Sequence, residues 1–443
     1  MRKLKLFSAC LITIAMLVVL VACANGNQAA QDATPAPAQD ATQPEPAPGA
    51  EPEAVPEVLP GELPRLVMSR WGGPHADDQR AVIAAWPYAD VIIDDIDFGN
   101  LQMRQIQSMS VSAEYDLIWV PEFWFAEYAR NGWLLPLDDF VANSDFNLGD
   151  YSASMVDMNR LNGTLYALPS FAQTLILTVN TEWFEREGQS IPTTPEEMVA
   201  VARHFHEQGT GIAIPASQGQ AAADLFSTIL FSAGGSFFDA NGNINLISEE
   251  AIYAATIWDQ LVGYSMPGST MWHHDDVSAA VRTEAAPFGT TVSGLSMLDM
   301  DPQESLIIDT VAYFTIPARG DLVGVASTWS WGIAANSANP QAAFDFLTWL
   351  VGPEADKAQA LRNAQVSALS AIAEDPEVLA AFPHIRAASA QLANSRVLPN
   401  NPGAVELMPA LQVALSELAV TNRTPLEVFT ELHESLQGVV TED

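Results

Sequence analysis

Thiols and lysines are the scarcest chemistry in this 443-residue chain. The two cysteines, Cys10 and Cys23, both lie in its first 23 residues, so everything after them is free of thiols. That excludes disulfides, thiolate metal sites and a cysteine nucleophile from the folded part. Lys357 is the only lysine beyond Lys5, and 18 basic residues face 54 acidic ones, for a formal net charge of -36. Nucleic acid and anionic lipid are poor partners for such a field. The acids are spread thinly, which fits a solvated surface better than a binding code. Catalytic signatures are missing as well. There is no Gly-x-Ser-x-Gly, no His-Glu-x-x-His and no phosphate loop ending in Gly-Lys-Ser/Thr. The one metal-like cluster is His273-His274-Asp275-Asp276. Adjacent residues on a short loop point different ways and chelate one ion badly, so no metal and no cofactor are expected. Carboxylates are too abundant for any acid/base pair to stand out.

The N-terminus carries its own signal. Arg2, Lys3 and Lys5 precede an apolar, uncharged stretch from Leu6 to Val21, and then comes Leu20-Val21-Ala22-Cys23. This order is that of a secretory signal; the apolar run is short for a membrane span, and an uncleaved anchor is the alternative. The segment resembles a bacterial lipobox, which implies that residues 1–22 are removed and that Cys23 is lipidated and holds the chain to a membrane. Cleavage there removes three positive charges and no acids, taking the charge from -36 to -39. Residues 24–62 are rich in Pro, Ala, Glu and Gln and hold no aromatic residue. Such a segment cannot bury a core and is expected to be a disordered or semi-extended tether, with a peptide ligand for a partner domain as the other reading.

The remaining chain, about 380 residues, is long enough for two domains with substantial cores. Strand-like runs at 65–71 (RLVMSRW), 90–95 (DVIIDD) and 115–120 (YDLIWV) alternate with helical patterns at 76–86, 101–111 and 122–131. This alternation predicts βαβ units and a parallel sheet covered on both faces. The segment 169–173 (PSFAQ) is expected to be a loop before an apolar run at 174–179 (TLILTV). A second apolar segment spans 323–335, and helices are expected at 194–208, 221–232, 248–262, 340–350 and from Pro425.

Aromatic residues gather where strands end. Trp71 closes the first strand, and Trp119, Phe123, Trp124 and Phe125 surround the end of the third. Phe171 precedes the apolar run, Trp272 sits beside His273, and Trp329 and Trp331 flank Ser330. In open α/β sheets ligands bind outside the carboxyl ends of strands. Sugar rings present C–H faces that aromatic rings cover, while their hydroxyls call for carboxylates and amides.

Five stretches resemble, in order, the extracellular solute-binding proteins of carbohydrate ABC importers, the maltose-binding-like family. They are 115–140 (YDLIWVPEFWFAEYARNGWLLPLDDF), 162–180 (from NGTLYALP), 192–198 (PTTPEEM), 328–354 (from TWSWGI) and 396–402 (RVLPNNP). The resemblance implies an α/β fold of the two-lobed, type II periplasmic-binding-protein kind, each lobe a mixed sheet flanked by helices, joined by crossover strands. The lobes would be 63–172 plus 330–380, and 173–329 plus 381–440. It implies a binder rather than an enzyme, a monomer that partners ABC permease subunits at the extracellular face of the cell membrane or in the periplasm, with a mono- or oligosaccharide in the interlobe cleft. Carried over residue by residue, Trp71, Glu122, Trp124, Phe171, Gln173 and Trp329 fall on cleft positions. Glu122 and Gln173 would bond hydroxyls, and Trp124 and Trp329 would stack on the ligand from opposite sides, with Trp331 as a substitute for Trp329. The crossings would lie near Ala172-Gln173, near residues 327–329 and around Ala380. Gln173 stands where many relatives have Asp, Met408 where many have an aromatic, and the loop from Trp71 to Ala76 departs from most of them. A surface-bound glycoside hydrolase and a same-fold binder of a non-sugar solute are the rival readings.

Overall fold

The computed structural model describes residues 63–438 other than 73, 400 and 401. The signal, Cys23 and the tether lie outside the described residues.

The chain opens with three strands that pair in parallel: β1 (Arg65–Trp71), β2 (Asp90–Ile96) and β3 (Leu117–Pro121). Between and after them run α1 (Pro74–Ile83), α2 (Phe98–Gln107) and α3 (Glu122–Arg130). Asp97 caps α2 by accepting from the Gly99 amide, and its last turn widens into a π-turn at Ser108–Ser112. Then comes β4 (Ala167–Asn180), fourteen residues long and buried along almost all of its length. The expected loop at 169–173 is therefore strand. Pro169 is accommodated because the register shifts between Pro169 and Phe171, a bulge that spares the missing N–H a ladder position.

Helices follow: α4 (Pro195–Glu207), started by a Thr194/Glu197 capping box, α5 (Gln220–Ser232), α6 (Glu249–Gly263) and α7 (His274–Arg282). His273 and His274 thus sit at a helix start, not on a free loop. After these come β5 (Phe288–Val292), β6 (Val311–Phe314) and β7 (Ala326–Ile333). The chain ends with α8 (Pro340–Leu350), α9 (Pro353–Asn363), β8 (Val366–Ser367), α10 (His384–Leu392), α11 (Pro402–Val420) and α12 (Pro425–Ser435). Residues 403–420 are apolar and long enough to cross a bilayer. In this fold, however, Leu407, Leu411, Leu415 and Leu418 bury at helical spacing in a protein core.

The sheet order is β8-β4-β7-β3-β1-β2, with β5 and β6 flanking the second half of β4. Only β1, β2 and β3 are parallel to one another. β7 runs antiparallel between β3 and β4, so the sheet is mixed, where the alternating pattern predicted a parallel one.

Two large groups of buried side chains organise these elements. The first holds Leu66, Met68, Leu117, Trp119, Tyr128, Trp331, Phe344, Phe346 and Ile385. The second holds Leu177, Phe205, Phe226, Trp258, Phe288, Leu411 and Phe429. β4 belongs to both: its first half pairs with β7 and its second half with β5 and β6. The chain returns between Val325, in the second group, and Ala326, in the first. Its third passage comes later than residue 380, because Ile385, Ala388 and Leu392 of α10 bury with the first group and Leu398 packs on the second. Arg396 bridges to Val325 beside this passage.

Candidate functional site

Where the parallel strands stop, their carboxyl ends deliver side chains to one edge of the sheet. β1 ends at Trp71, β2 runs into Phe98 through the capping Asp97, and β3 ends at Pro121, followed by Glu122, Phe123 and Trp124. Antiparallel β7 brings Trp329 opposite Pro121, and β4 brings Phe171 opposite Trp329 and Gln173 opposite Ser327. All six residues expected from the sequence therefore converge on one region.

The rings form a continuous surface. Trp71 meets Phe98 edge-on at 5.9 Å, and Phe98 stacks on Trp124 at 5.5 Å. Phe123 touches Trp124 and Trp329 edge-on. Trp329 stacks on Trp119 at 4.1 Å and 14°, a diagonal cross-strand pair, and lies 6.2 Å from Phe171. Behind Trp119 the buried Arg70 guanidinium lies 5.4 Å from the ring centroid. Trp71, Phe98 and Phe123 are 43%, 37% and 41% exposed, large for such rings, whereas Trp119 and Trp331 are buried. Trp331 packs in the first core, which leaves Trp329 as the half-exposed ring of β7.

Trp124 and Trp329 stand on the same wall. Both pack against the first core and both touch Phe98 and Phe123. The expectation that they grip from opposite sides fails because β7, though it arrives from the second core, is paired along its length within the first one's sheet.

Glu122 starts α3, where the helix N-terminus favours a negative side chain. Its Oε1 accepts from the Ser327 hydroxyl at 3.0 Å and its Oε2 from the Thr328 amide at 2.9 Å. These bonds favour the charged form, but burial outweighs them and the negative charge of Asp224 adds to it, so the carboxyl is pushed up to about 8. Gln173 is half-buried. Its amide fills the space over Gly294: a Cβ there would come within 2.5 Å of Gln173 Nε2. Trp272 is elsewhere, packed on a small cluster with Ala213 and Val277. Met408 packs against the second core.

Two groups at this site escaped the sequence reading. Phe98 touches Trp71, Trp124 and Trp329 and is its central ring; its signal was there, two residues past the end of a parallel strand. Asp224 on α5 acts on Glu122 and lies 3.6 Å from His274; nothing in the sequence marks it among 54 acids. Among the described residues no group of three metal-ligating side chains is assembled. A cavity of about 700 Å³ opens at residues 259–270 and 418–425, on the second core. It shares no residue with the aromatic wall. Enclosure is a poor guide here, since a cleft that must admit and release a solute is an open groove.

The model of the family described as bacterial extracellular solute-binding protein matches residues 79–357. A probable amino-acid ABC transporter periplasmic-binding protein of Sinorhizobium fredii is 25% identical over 246 residues, 54% of this chain. The mannitol-binding protein of Pseudomonas aeruginosa is 25% identical over 302 residues, 65% of this chain. The chain spans 56% of the first relative's length and 68% of the second's. The maltose-bound MalE3 of T. maritima superposes with a TM-score of 0.73 at 19% identity, over 84% of this chain and 98% of that one. The fold is thus the two-lobed α/β fold of periplasmic binding proteins, the two core groups being its lobes. With the family model covering more than half of its length, the chain belongs to the bacterial extracellular solute-binding proteins, a family of binders and not of enzymes.

Proposed function

We propose that this protein captures a sugar or sugar alcohol in the cleft between its lobes and hands it to an ABC-type importer from the outer face of the membrane, held there by lipid on Cys23. The observation that carries the reading is the wall of exposed rings, Trp71, Phe98, Phe123 and Trp124, set around a carboxyl at the ends of three parallel strands. Such a surface suits the apolar faces and hydroxyl edges of a polyol. The ligand residues are Trp71, Glu122, Trp124, Phe171, Gln173 and Trp329, joined by Phe98. The relatives named for maltose and mannitol support the same solute class. The LVAC order followed by a Pro-rich run supports the anchor.

A thermal-unfolding screen against sugars and alditols tests the capture. A solute at 100 times its dissociation constant stabilises the folded state by about 2.7 kcal/mol. A panel in which amino acids shift the midpoint and no sugar or alditol does would reject this reading. For the anchor, Cys23→Ser should release the protein from the membrane fraction, and unchanged fractionation would reject it.

A further inference from the structure

Phe171 and Gln173 stand two apart on β4 and so share a face of that strand. Phe171 lies beside Trp329 at the end of the aromatic wall. Gln173 is paired with Ser327, whose hydroxyl donates to Glu122. Side chains directly opposite in an antiparallel pair lie about 5 Å apart on one face. Gln173 and Glu122 therefore flank Ser327 beside the rings. Gln173 is half-buried, and its side-chain amide makes no hydrogen bond among the described residues.

The other side of that amide meets the second lobe. Where β5 ends, the chain turns into a short 3-10 segment, Ser293–Met300. Ser293 Oγ accepts from the Thr174 amide at 3.2 Å, which fixes the turn against β4 one residue from Gln173. Gly294 comes next, and the whole end of the Gln173 side chain is laid over it. A Cβ on Gly294 would stand 2.5 Å from Nε2, 2.7 Å from Cδ and 3.0 Å from Oε1. The need for glycine is one of space alone: Gly294 has no positive φ, so its backbone would accept a side chain.

We propose that Gly294 is a positioning residue for solute binding: lacking a Cβ, it seats the Gln173 amide and holds it where it meets the solute. This rests on the sugar reading of the cleft. The amide offers one acceptor and two donors to hydroxyls. Free in solvent they would sweep a wide arc, and on the Gly294 seat they keep one place relative to Glu122 and the rings, so less freedom is lost on binding. Any side chain at 294 lifts the amide off this seat. The clash falls on the mobile end of a flexible side chain, so its cost shows in binding and not in folding.

Calorimetric titration tests this with whichever of maltose, glucose, mannitol and ribitol the wild-type protein binds most tightly. Gly294→Ala should weaken that solute about tenfold and leave the unfolding midpoint of the free protein nearly unchanged. Gln173→Ala should weaken it by a similar factor. In the double variant the losses should not add: once Gln173 is gone, Gly294→Ala should cost about twofold or less. A merely structural role would show the opposite, a loss that persists without Gln173, and that result overturns the proposal. So does a Gly294→Ala protein that binds as the wild type does, or one whose midpoint collapses. Normal binding by Gln173→Ala overturns it too, while Trp124→Ala still tests the sugar reading by itself. A wild-type protein that binds none of the four overturns the sugar reading first, and this inference with it.

Discussion

A single ring can be a floor for ligand, a brick of the core, or both, and the two tryptophans on this wall divide on that point. Trp124 is half-buried and touches Phe98, Phe123 and Tyr128. Trp329 is sandwiched between Trp119 and Phe171 as well as facing Phe98 and Phe123. Trp124→Ala should therefore cost about 2 kcal/mol of binding, roughly thirtyfold in affinity, with a small drop in midpoint. Trp329→Ala should lose affinity and, in addition, about 3 kcal/mol of stability, because it opens a hole in a stack. Affinity and unfolding midpoint measured on the same samples separate the cases; a Trp124→Ala protein with unchanged affinity and a collapsed midpoint would move that ring into the core. At this scale the sequence was legible where position along a strand carries the information. Trp71 and Trp124 were singled out by their places at strand ends and Glu122 by the family resemblance, and the fold brings all three to one edge of the sheet. Asp224, whose charge helps to raise the Glu122 carboxyl, was not, since a carboxylate within a helix looks like any solvated acid.

Among the elements, β4 stands apart, being one strand with two sets of neighbours. Its partners change from β7 to β5 and β6 around Thr174, whose hydroxyl donates to the Val325 carbonyl on the returning chain. The Thr174 amide donates to Ser293. Glu122 meanwhile fastens residues 327 and 328 of that return to the first lobe. A few residues at 173–174 and 325–328 are thus where backbone rotation would swing one lobe against the other. X-ray scattering should report a smaller radius of gyration with saturating solute than without, and an unchanged radius at saturation would count against closure. Little in the residue pattern warned of this continuity. Pro169 advertised a turn, because the bulge that tolerates it is set by pairing with β7, some 160 residues away. The start of α4 at Thr194 was readable, since a capping box is local. The third passage was misplaced for the opposite reason: α10 has the same apolar pattern whichever lobe it covers.

Over the whole molecule, charge sets the response to pH. Burial raises four carboxyls, Glu122 to about 8, Asp299 and Asp356 to about 7, and Asp259 above its ordinary value. Between their unfolded values and these, the folded state binds more protons than the unfolded chain, so stability is lost as pH rises. Burial lowers His384 to about 4 and also lowers His273, which works the other way: for His384, between about 4 and 6.5 the unfolded chain binds the extra proton and stability is gained with pH. Four carboxyls against two histidines, on a body at -36, place the higher thermal midpoint at pH 5 and the lower at pH 8. Asp356→Asn keeps an acceptor for the Ser367 hydroxyl and removes the charge. It should raise the midpoint at pH 8 and leave pH 5 nearly unchanged; a variant that gains nothing at pH 8 would show that Asp356 is ionised there at no cost.

The place of β7 also bears on how such a chain can be made. It lies in the interior of the first lobe's sheet, between β3 and β4, yet it is residues 326–333. A polypeptide delivered from its N-terminus presents β1, β2, β3 and β4 early, and these four cannot close a sheet until the large part of the second lobe that lies between β4 and β7 has followed. Trp331, Phe344, Phe346 and Ile385, which fill the first core, arrive later still. Loop closure over some 150 residues is an entropic toll levied before any of those contacts form. The first lobe is therefore begun first, yet it can close only after most of the second lobe has been made, and the second is completed later still by residues up to Leu436.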